Sequence, residues 1–236
     1  MQQPHSEGLV RTLVFSLVGA FLAASSLVNG AVISTSLGNT ASGLSDGSIQ
    51  TTVALNTAQT GQLAPFTGNC GSDANMNCSA NWIFTYSVPA SQTITGATLL
   101  LGIWDIDSGA PGLQVASYTL TGGDNLTSAL NTVAEALNAG LGSKNSEYDV
   151  LSVTIPNTSF GVLAGGTAQF SLALQGPGLG ILSPTTNPAF NGAKLVFSTL
   201  NLETTEVTST PEPSFVALVP MALGAFALFR RRRKSC

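Results

Sequence analysis

The chain has little charge, and the charge that it has is unevenly placed. Only 8% of its 236 residues are charged, against about a quarter in an ordinary soluble domain, so Ser, Thr, Asn and Gln must cover its surface. Between residues 31 and 212, two lysines stand against eleven acidic residues, a formal net charge of −9. Such a surface repels phosphate backbones, which excludes nucleic acid as a partner. The composition indicates one extracellular, β-rich domain.

The chain has almost no histidine, the residue on which the commonest catalytic mechanisms depend. The only histidine is His5, close to the N-terminus. Ser-His-Asp triads, Cys-His pairs and histidine-ligated zinc are therefore excluded for the central part of the chain. No phosphate-binding loop of the GxxxxGK[ST] type is present either. The sequence thus predicts a protein that is not an enzyme and that has no catalytic residues, no cofactor and no metal.

The N-terminal residues have the three parts of a signal peptide. Arg11 precedes an apolar run at residues 12–24, and Ser25 and Ser26 follow it. A helix of that length rises only about 20 Å, which is short for a membrane span. We therefore expect residues 1–30 to be a signal peptide that is cleaved near Gly30. An uncleaved anchor is the alternative.

The C-terminal end combines three features in a fixed order. A Pro-Glu-Pro tripeptide comes first, an apolar stretch at residues 214–229 follows, and a cationic cluster comes after it. The tripeptide is Pro211, Glu212 and Pro213, and the cluster is Arg230, Arg231, Arg232, Arg233 and Lys234. Cationic flanks stay in the cytoplasm, so the apolar stretch is predicted to be a transmembrane helix with the central domain outside. An ordinary C-terminal anchor would share this pattern.

This order of features resembles the PEP-CTERM sorting signal of Gram-negative bacteria, and the resemblance covers residues 211–236. It implies recognition by an exosortase, a membrane-embedded cysteine protease that cuts near the motif. It also implies an inner-membrane anchor before processing and a final place on the cell surface or in the exopolysaccharide matrix. Exosortase, membrane and exopolysaccharide are thus the expected partners, and the expected role is structural or adhesive. Residues 204–210 are polar and are predicted to form a flexible spacer.

The central residues alternate with a period of two, which is typical of strands. Trp82, Phe84, Tyr86 and Val88 are the clearest case, an aromatic face that we expect to line the core. Further strands are predicted at residues 97–104, 114–121, 148–155, 167–175 and 194–202, with weaker candidates at 31–36 and 48–55.

One amphipathic helix is predicted at residues 126–141, where Leu and Val recur at spacings of three and four and Asp124 or Asn125 can serve as the N-cap. Short strands with a single inserted helix predict an all-β fold for residues 31–203. We expect an antiparallel β-sandwich of the jelly-roll kind. The segment from 82 to 202 is similar to β-sandwich ectodomains that precede PEP-CTERM tails.

Cys70 and Cys78 bracket a short loop, and in an oxidising periplasm they are predicted to form a disulfide. Closing that loop would stabilise the fold by roughly 2.5 kcal/mol in the entropic model. Cys236 follows the cationic cluster and is assigned no role.

Asp105 and Asp107 suggest a calcium site as an alternative to the prediction of no metal. They point the same way from a strand end and, with Asp124 or a loop carbonyl, could supply the oxygen ligands that calcium prefers. The other interpretation is that both are turn-forming residues ahead of a Gly-rich loop.

Two further functions remain open as alternatives. A carbohydrate-binding module would stack exposed aromatic rings on sugars, and Trp104 is the best candidate for exposure. The other available rings are those of Trp82, Tyr86, Tyr118 and Tyr148. An acid-pair glycoside hydrolase would draw on Asp105, Asp107, Glu135, Glu147 and Asp149. Of these, Glu147 and Asp149 begin a strand and are expected to be solvated.

Overall fold

β-strands make up the largest share of the regular structure in the described chain. The computed structural model describes residues 30–72, 74–106, 113–138, 147–176 and 190–207. Within them the strands are β1 Gly30–Gly38, β2 Ser48–Ile49, β3 Asn69–Cys70, β4 Ser79–Thr85, β5 Gln92–Trp104, β6 Val115–Leu120, β7 Glu147–Thr154, β8 Thr167–Leu174 and β9 Ala193–Glu206. The helices are α1 Thr52–Gln59, α2 Thr127–Asn138 and α3 Phe160–Leu163, with a 3₁₀ turn at Asn157–Ser159. These elements belong to the compact unit Asn29–Glu206.

The strands form two antiparallel sheets. The large sheet has the order β1-β9-β5-β7-β2, with β3 also paired to β9, and the small sheet has the order β4-β8-β6. The core lies between them: apolar side chains at alternate positions of β5, β7 and β9 meet those of β4, β6 and β8. The prediction of an all-β antiparallel sandwich is confirmed.

An aromatic cluster fills the centre of the core, as the alternation in β4 predicts. The Trp82 ring stacks on Phe170 with centroids 6.3 Å apart, and Phe66 meets Trp82 edge-on at 6.0 Å. Phe84 and Tyr118 pack on the same Phe170 ring. Rings in these arrangements add to the stability that their buried area provides. Tyr86, beyond the end of β4, is only half-buried and donates its hydroxyl to the Leu163 carbonyl at 2.7 Å.

A second, smaller core lies on the outer face of the large sheet. Helix α1 places Leu55 and Ala58 over Tyr148, Val196 and Phe197. Because both faces of β9 are therefore covered, its first eight residues are all buried.

Close approach across this second core requires a glycine in the middle of β5. A Cβ atom at Gly102 would lie 2.4 Å from the Phe197 ring and 2.5 Å from the Tyr148 hydroxyl. Any larger residue would push these rings away from the sheet, and overpacking of this kind is destabilising.

Helix α1 occupies a segment for which a strand was predicted. Residues 48–55 alternate in hydrophobicity, but only Ser48–Ile49 pairs in a sheet, and the chain turns into a helix at Thr52. The Thr51 hydroxyl accepts a hydrogen bond from Ala54 N and caps that helix. Leu55, Ala58 and Gln59 share its buried face. The strand prediction was wrong because burial here follows a spacing of three and four.

The single predicted helix is present as α2, but the described residues contain two further short helices, so the prediction of only one was also wrong. Asn125, one of the two predicted N-cap residues, lies two residues before the helix and accepts a hydrogen bond from Thr127 N. β9 runs to Glu206, three residues into the predicted spacer. Thr204 is buried there, and its hydroxyl bonds the Ala31 carbonyl and the Gln92 amide oxygen.

The predictions for the two ends fall largely outside the described residues. These are the signal peptide up to residue 29, the sorting motif at 211–213, the transmembrane helix at 214–229 and the cationic cluster at 230–234. Among the residues that the structure does describe, none belongs to a helix long and apolar enough to cross a membrane.

Candidate functional site

Different residues lie at the two ends of the sandwich. Gly30, Gln92 and Glu206 lie together at one end, which we call the terminal pole. Gly38, Cys70, Trp104, Glu147 and Lys194 lie together at the other, which we call the loop pole. The fourteen residues of β9 join the poles, so they are roughly 45 Å apart at the rise of an extended strand.

The predicted disulfide is confirmed at the loop pole. Cys70 and Cys78 are bonded, with Cα atoms 4.6 Å apart. Cys70 pairs with Ala193 in β3, and Cys78 N donates to the Asn191 carbonyl at 2.7 Å. The disulfide therefore joins the loop at 71–77 to the beginning of β9.

Asn191 connects both sheets at the loop pole. It is fully buried, and its Nδ2 donates to the Ile106 carbonyl at 2.7 Å and to Gln114 Oε1 at 3.0 Å. Ile106 follows β5 of the large sheet, and Gln114 precedes β6 of the small sheet. A buried amide with several partners holds the two sheet ends in a defined position.

Two carboxylates expected at the surface are buried instead. Glu147 and Asp149 are only 6% and 5% exposed. In β7 they alternate with Leu151 and Val153, which belong to the core, so their side chains share the core-facing side of that strand. Asp105 follows β5 beside them, with its N–H bonded to the Glu147 carbonyl and a backbone φ of 61° in the left-handed region. The expectation of solvated positions was wrong because β7 begins inside the sandwich.

The proposed sharing of a calcium ion by Asp105 and Asp124 does not fit the fold. Asp124 lies four residues past the end of β6, with the six residues of β6 between it and the loop pole, a span of roughly 20 Å. Its carboxylate accepts hydrogen bonds from Ser159 and Thr158 at 2.5 and 2.6 Å. These bonds, that of Ser159 first, lower the pKa of the Asp124 carboxyl.

Two other candidate acidic ligands are Asp107 and Glu135. Asp107 lies outside the described residues, as does the side chain of Glu135. Within the described ranges, no group of three or more His, Cys, Asp or Glu residues could hold a metal ion.

Most of the aromatic candidates for sugar stacking belong to the cores. Trp82 and Tyr118 are buried between the sheets, and Tyr148 is buried beneath α1. Burial raises the pKa of Tyr148 to about 12. Trp104 is half-buried against the second core, beside Lys194 in the sheet register.

Two neighbouring cavities that sequence reasoning missed open at the loop pole. The first, of about 250 Å³, is lined by Asn56, Gln59, Thr60, Gly61, Gln62 and Thr67. The second, of about 310 Å³, shares Thr67 and includes Asn69, Met76 and Asn77. None of the described residues that line these cavities is charged. We call the two cavities together the amide groove. Its sequence signal is the density of Asn, Gln and Thr between 56 and 79.

Hydrogen bonds of two side chains, those of Gln59 and Lys194, hold the lining of the amide groove in place. Gln59 Nε2 donates to the Gly68 and Leu195 carbonyls at 3.0 and 2.8 Å, whereas its buried Oε1 has no hydrogen-bond partner among the described residues. The Lys194 ammonium donates to Asn56 Oδ1 at 2.6 Å. Burial lowers the pKa of this lysine. The described lining therefore combines amide and hydroxyl groups with apolar side chains such as that of Met76, and the Lys194 ammonium lies against Asn56.

No protein-family model matches the chain, and no curated protein sequence matches it.

Proposed function

We propose that this chain is an exported protein of the cell surface or extracellular matrix of a Gram-negative-type bacterium, with a structural or adhesive role in the exopolysaccharide layer. A signal peptide at 1–30 would direct export. The helix at 214–229 would anchor the chain in the inner membrane until an exosortase cuts near Pro211, Glu212 and Pro213. No catalytic step is part of this proposal.

One structural observation carries the proposal: both ends of the domain leave from the terminal pole. Gly30 pairs with Thr205, next to the residues that lead to the spacer and the sorting motif. A chain held by its C-terminal tail would therefore direct the loop pole, with its disulfide and amide groove, away from the membrane. The disulfide also suits an oxidising compartment.

We also infer that the sandwich has a jelly-roll-like topology. Numbered without the short strands β2 and β3 and without helices α1 and α3, the large sheet contains the first, last, third and sixth elements in that order, and the small sheet contains the second, seventh and fourth. The fifth element is α2, which contacts both β6 and β7. This is the order of an eight-stranded jelly roll in which a helix takes the place of one strand.

Intact-mass analysis of the protein from its host, with and without the exosortase, tests the proposed function. We expect a chain that begins near residue 31 and ends near 211–213 only when the exosortase is present. The variant Glu212→Gln should lose this processing, and Glu206→Gln, an acidic residue at the end of β9, should retain it. A C-terminus that keeps residues 230–234 in every strain would contradict the sorting proposal.

A second candidate, carbohydrate binding, is supported by the amide groove. Amide and hydroxyl groups can bond sugar hydroxyls, and the volumes of the two cavities suit one or two sugar rings. Because each neutral hydrogen bond contributes only about 1 kcal/mol, this site would bind a neutral polysaccharide weakly and through many copies. The net charge of the domain would repel an acidic polymer.

Retention on immobilised exopolysaccharide from the host tests this candidate. The double variant Gln62→Ala and Thr67→Ala should weaken retention severalfold. Gln169→Ala with Thr167→Ala, the same residue types on the outer face of the small sheet, should leave it unchanged. Equal retention of both variants would exclude the groove as the binding site.

A further inference from the structure

The edges of the two sheets differ in how well they are protected. A sheet edge exposes backbone N–H and C=O groups with which another strand can pair, and natural proteins shorten, cover or charge such edges. The outermost strands are β1 and β2 in the large sheet and β4 and β6 in the small sheet. β2 is only two residues long. The edge of β6 is covered by α2, whose Asn131 and Thr127 bond its backbone.

The other two edge strands, β4 and β1, differ in how fully their core-facing side chains are buried. The core-facing residues of β4, which are Ala80, Trp82 and Phe84, are buried. Those of β1 are not: Ile33 and Leu37 pack on the core but remain partly exposed. On the opposite face of β1, Val32 is 66% exposed. Of these two edges, β1 therefore leaves its core-facing side chains more exposed to solvent.

β1 also lacks the features that normally prevent edge pairing. Its nine residues contain no charge and no proline. All nine pair with β9 in one continuous register without a bulge. A long, regular, uncharged edge of this kind is a site for adding another strand. Among the described strands, β1 pairs with β9 alone.

We propose that β1 pairs antiparallel with β1 of a second copy of this chain, around a two-fold axis at Ser34. In that register Ser34 lies opposite Ser34 of the second copy, and Ile33 lies opposite Thr35. Odd-numbered positions then meet odd-numbered ones, so the core-facing rows of both copies form one continuous row. The contact uses the same residues from each copy, as a two-fold interface must.

Charge does not oppose this pairing. Of the two acidic residues in β9, Glu203 and Glu206, the nearer to Ser34 is Glu203, which pairs with Val32 one strand inside the sheet. Two copies of Glu203 would be separated by three strand spacings across the sheet and by four residues along the strands, about 20 Å in all. That distance exceeds the Debye length of about 8 Å at physiological ionic strength.

The strength of this contact suits an anchored or matrix protein. The nine-residue edge is about 30 Å long and is too small for a permanent interface. It would complete the burial of Ile33 and Leu37 in both copies. We therefore expect association at the high local concentration of the membrane or matrix, which extends the proposed structural role.

Cysteine cross-linking of the full chain tests the register. Ser34→Cys and Ser36→Cys are matched variants on the same exposed face of β1, each made with Cys236→Ser. Ser34 faces its own copy, whereas two copies of Ser36 would be four residues apart, about 13 Å, too far for a disulfide. We expect a reducible dimer from Ser34→Cys, both in cells and in the purified chain with a mild oxidant, and none from Ser36→Cys.

Equal cross-linking of the two variants, or none from Ser34→Cys, would overturn the proposal. Sedimentation of the concentrated protein, in the form that the host retains, is an independent measurement. Ser34→Lys should abolish self-association, and Ser152→Lys, an exposed serine on the outer face of β7, should not. A protein that stays monomeric before substitution would also overturn the proposal. Neither measurement depends on exosortase processing, so failure here would leave the sorting proposal standing.

Discussion

The hydroxyl groups of the buried tyrosines are satisfied to very different degrees. Tyr118 is fully buried, and its Oη has no hydrogen-bond partner among the described residues. Tyr86, by contrast, donates to the Leu163 carbonyl. A buried hydroxyl without a partner loses its bonds to water and gains nothing in return. The same atom therefore destabilises the fold at one position and stabilises it at the other.

Replacing each of these tyrosines by phenylalanine should change stability in opposite directions. Tyr118→Phe is expected to raise the free energy of unfolding by about 1 kcal/mol, because it removes an unpaired polar group. Tyr86→Phe is expected to lower it by about 1 kcal/mol, because it removes a hydrogen bond. Urea denaturation of both variants is the measurement. A loss of stability in Tyr118→Phe would show that its hydroxyl has a partner in solution.

Alkaline pH should unfold this protein through its tyrosines. Burial raises the pKa of Tyr86 and of Tyr148 to about 12 and that of Tyr118 further still. These are the three tyrosines of the chain. In the unfolded chain they ionise near pH 10, so ionisation favours unfolding as the pH rises from about 10 to 12.

Tyrosinate absorbance and circular dichroism, followed together through this pH range, check the expectation. Both signals should change in one cooperative step, and stability to urea should fall as the pH rises. Reversible ionisation near pH 10 with the fold intact would contradict the burial of these side chains.

Two side chains of helix α2 form hydrogen bonds with the backbone of the edge strand β6, where a neighbouring strand would otherwise pair. Asn131 is buried, and its amide both accepts from Val115 N and donates to the Val115 carbonyl, each at 3.0 Å. Thr127 accepts from Tyr118 N at 2.8 Å. An asparagine amide has the same donor and acceptor as a peptide unit. The side chains thus provide the edge of β6 with the bonds that a fourth strand would have supplied.

Asn131→Ala should therefore destabilise the protein by about 2 to 3 kcal/mol, since it leaves a buried N–H and a buried carbonyl of Val115 unpaired. Ser128→Ala, at an exposed position one turn earlier in the same helix, should change stability by less than about 0.5 kcal/mol. Chemical denaturation of the two variants is the measurement. Equal stability of both would show that water replaces the Asn131 amide at this edge.

Sequence pattern predicted the strands well where one face is buried and one is exposed. β4 and β5 follow their alternation closely, with Trp82, Phe84, Leu99 and Leu101 buried. The pattern failed for α1, because Ile49 and Val53 are apolar yet exposed, which imitates a strand. It also failed where tertiary contacts set the boundary, as at the end of β9, which β1 and Gln92 extend to Glu206.

The candidate site was less predictable than the fold. The disulfide follows from cysteine spacing, since Cys70 and Cys78 are the only cysteines in the central domain. The amide groove brings residues 56–67 to the disulfide loop and to Lys194, which are distant in sequence. The burial of Glu147 likewise depends on how the sheets meet, which no local pattern encodes.

At the scale of the whole domain, the long strands hold the terminal pole and the loop pole far apart. β9 carries the chain from Lys194 at the loop pole to Glu206 at the terminal pole, and β1 returns beside it in the opposite direction. Since Gly30 and Glu206 both lie at the terminal pole, a tether that follows Glu206 would leave the loop pole free. Self-pairing along β1 would occur at the side of the sandwich and would obstruct neither pole.

This arrangement predicts which surface an anchored chain presents. A short epitope inserted at Asn75, an exposed residue in the disulfide loop, should be accessible to antibody on spheroplasts of a strain without the exosortase. The same epitope placed between Glu206 and Pro211 should be bound severalfold less, because it lies between the domain and the membrane. Urea denaturation of both insertion variants should show that each is folded. Stronger labelling of the epitope beside Pro211 than of that at Asn75 would mean that the loop pole faces the membrane, and the surface to examine for partners would then be the terminal pole.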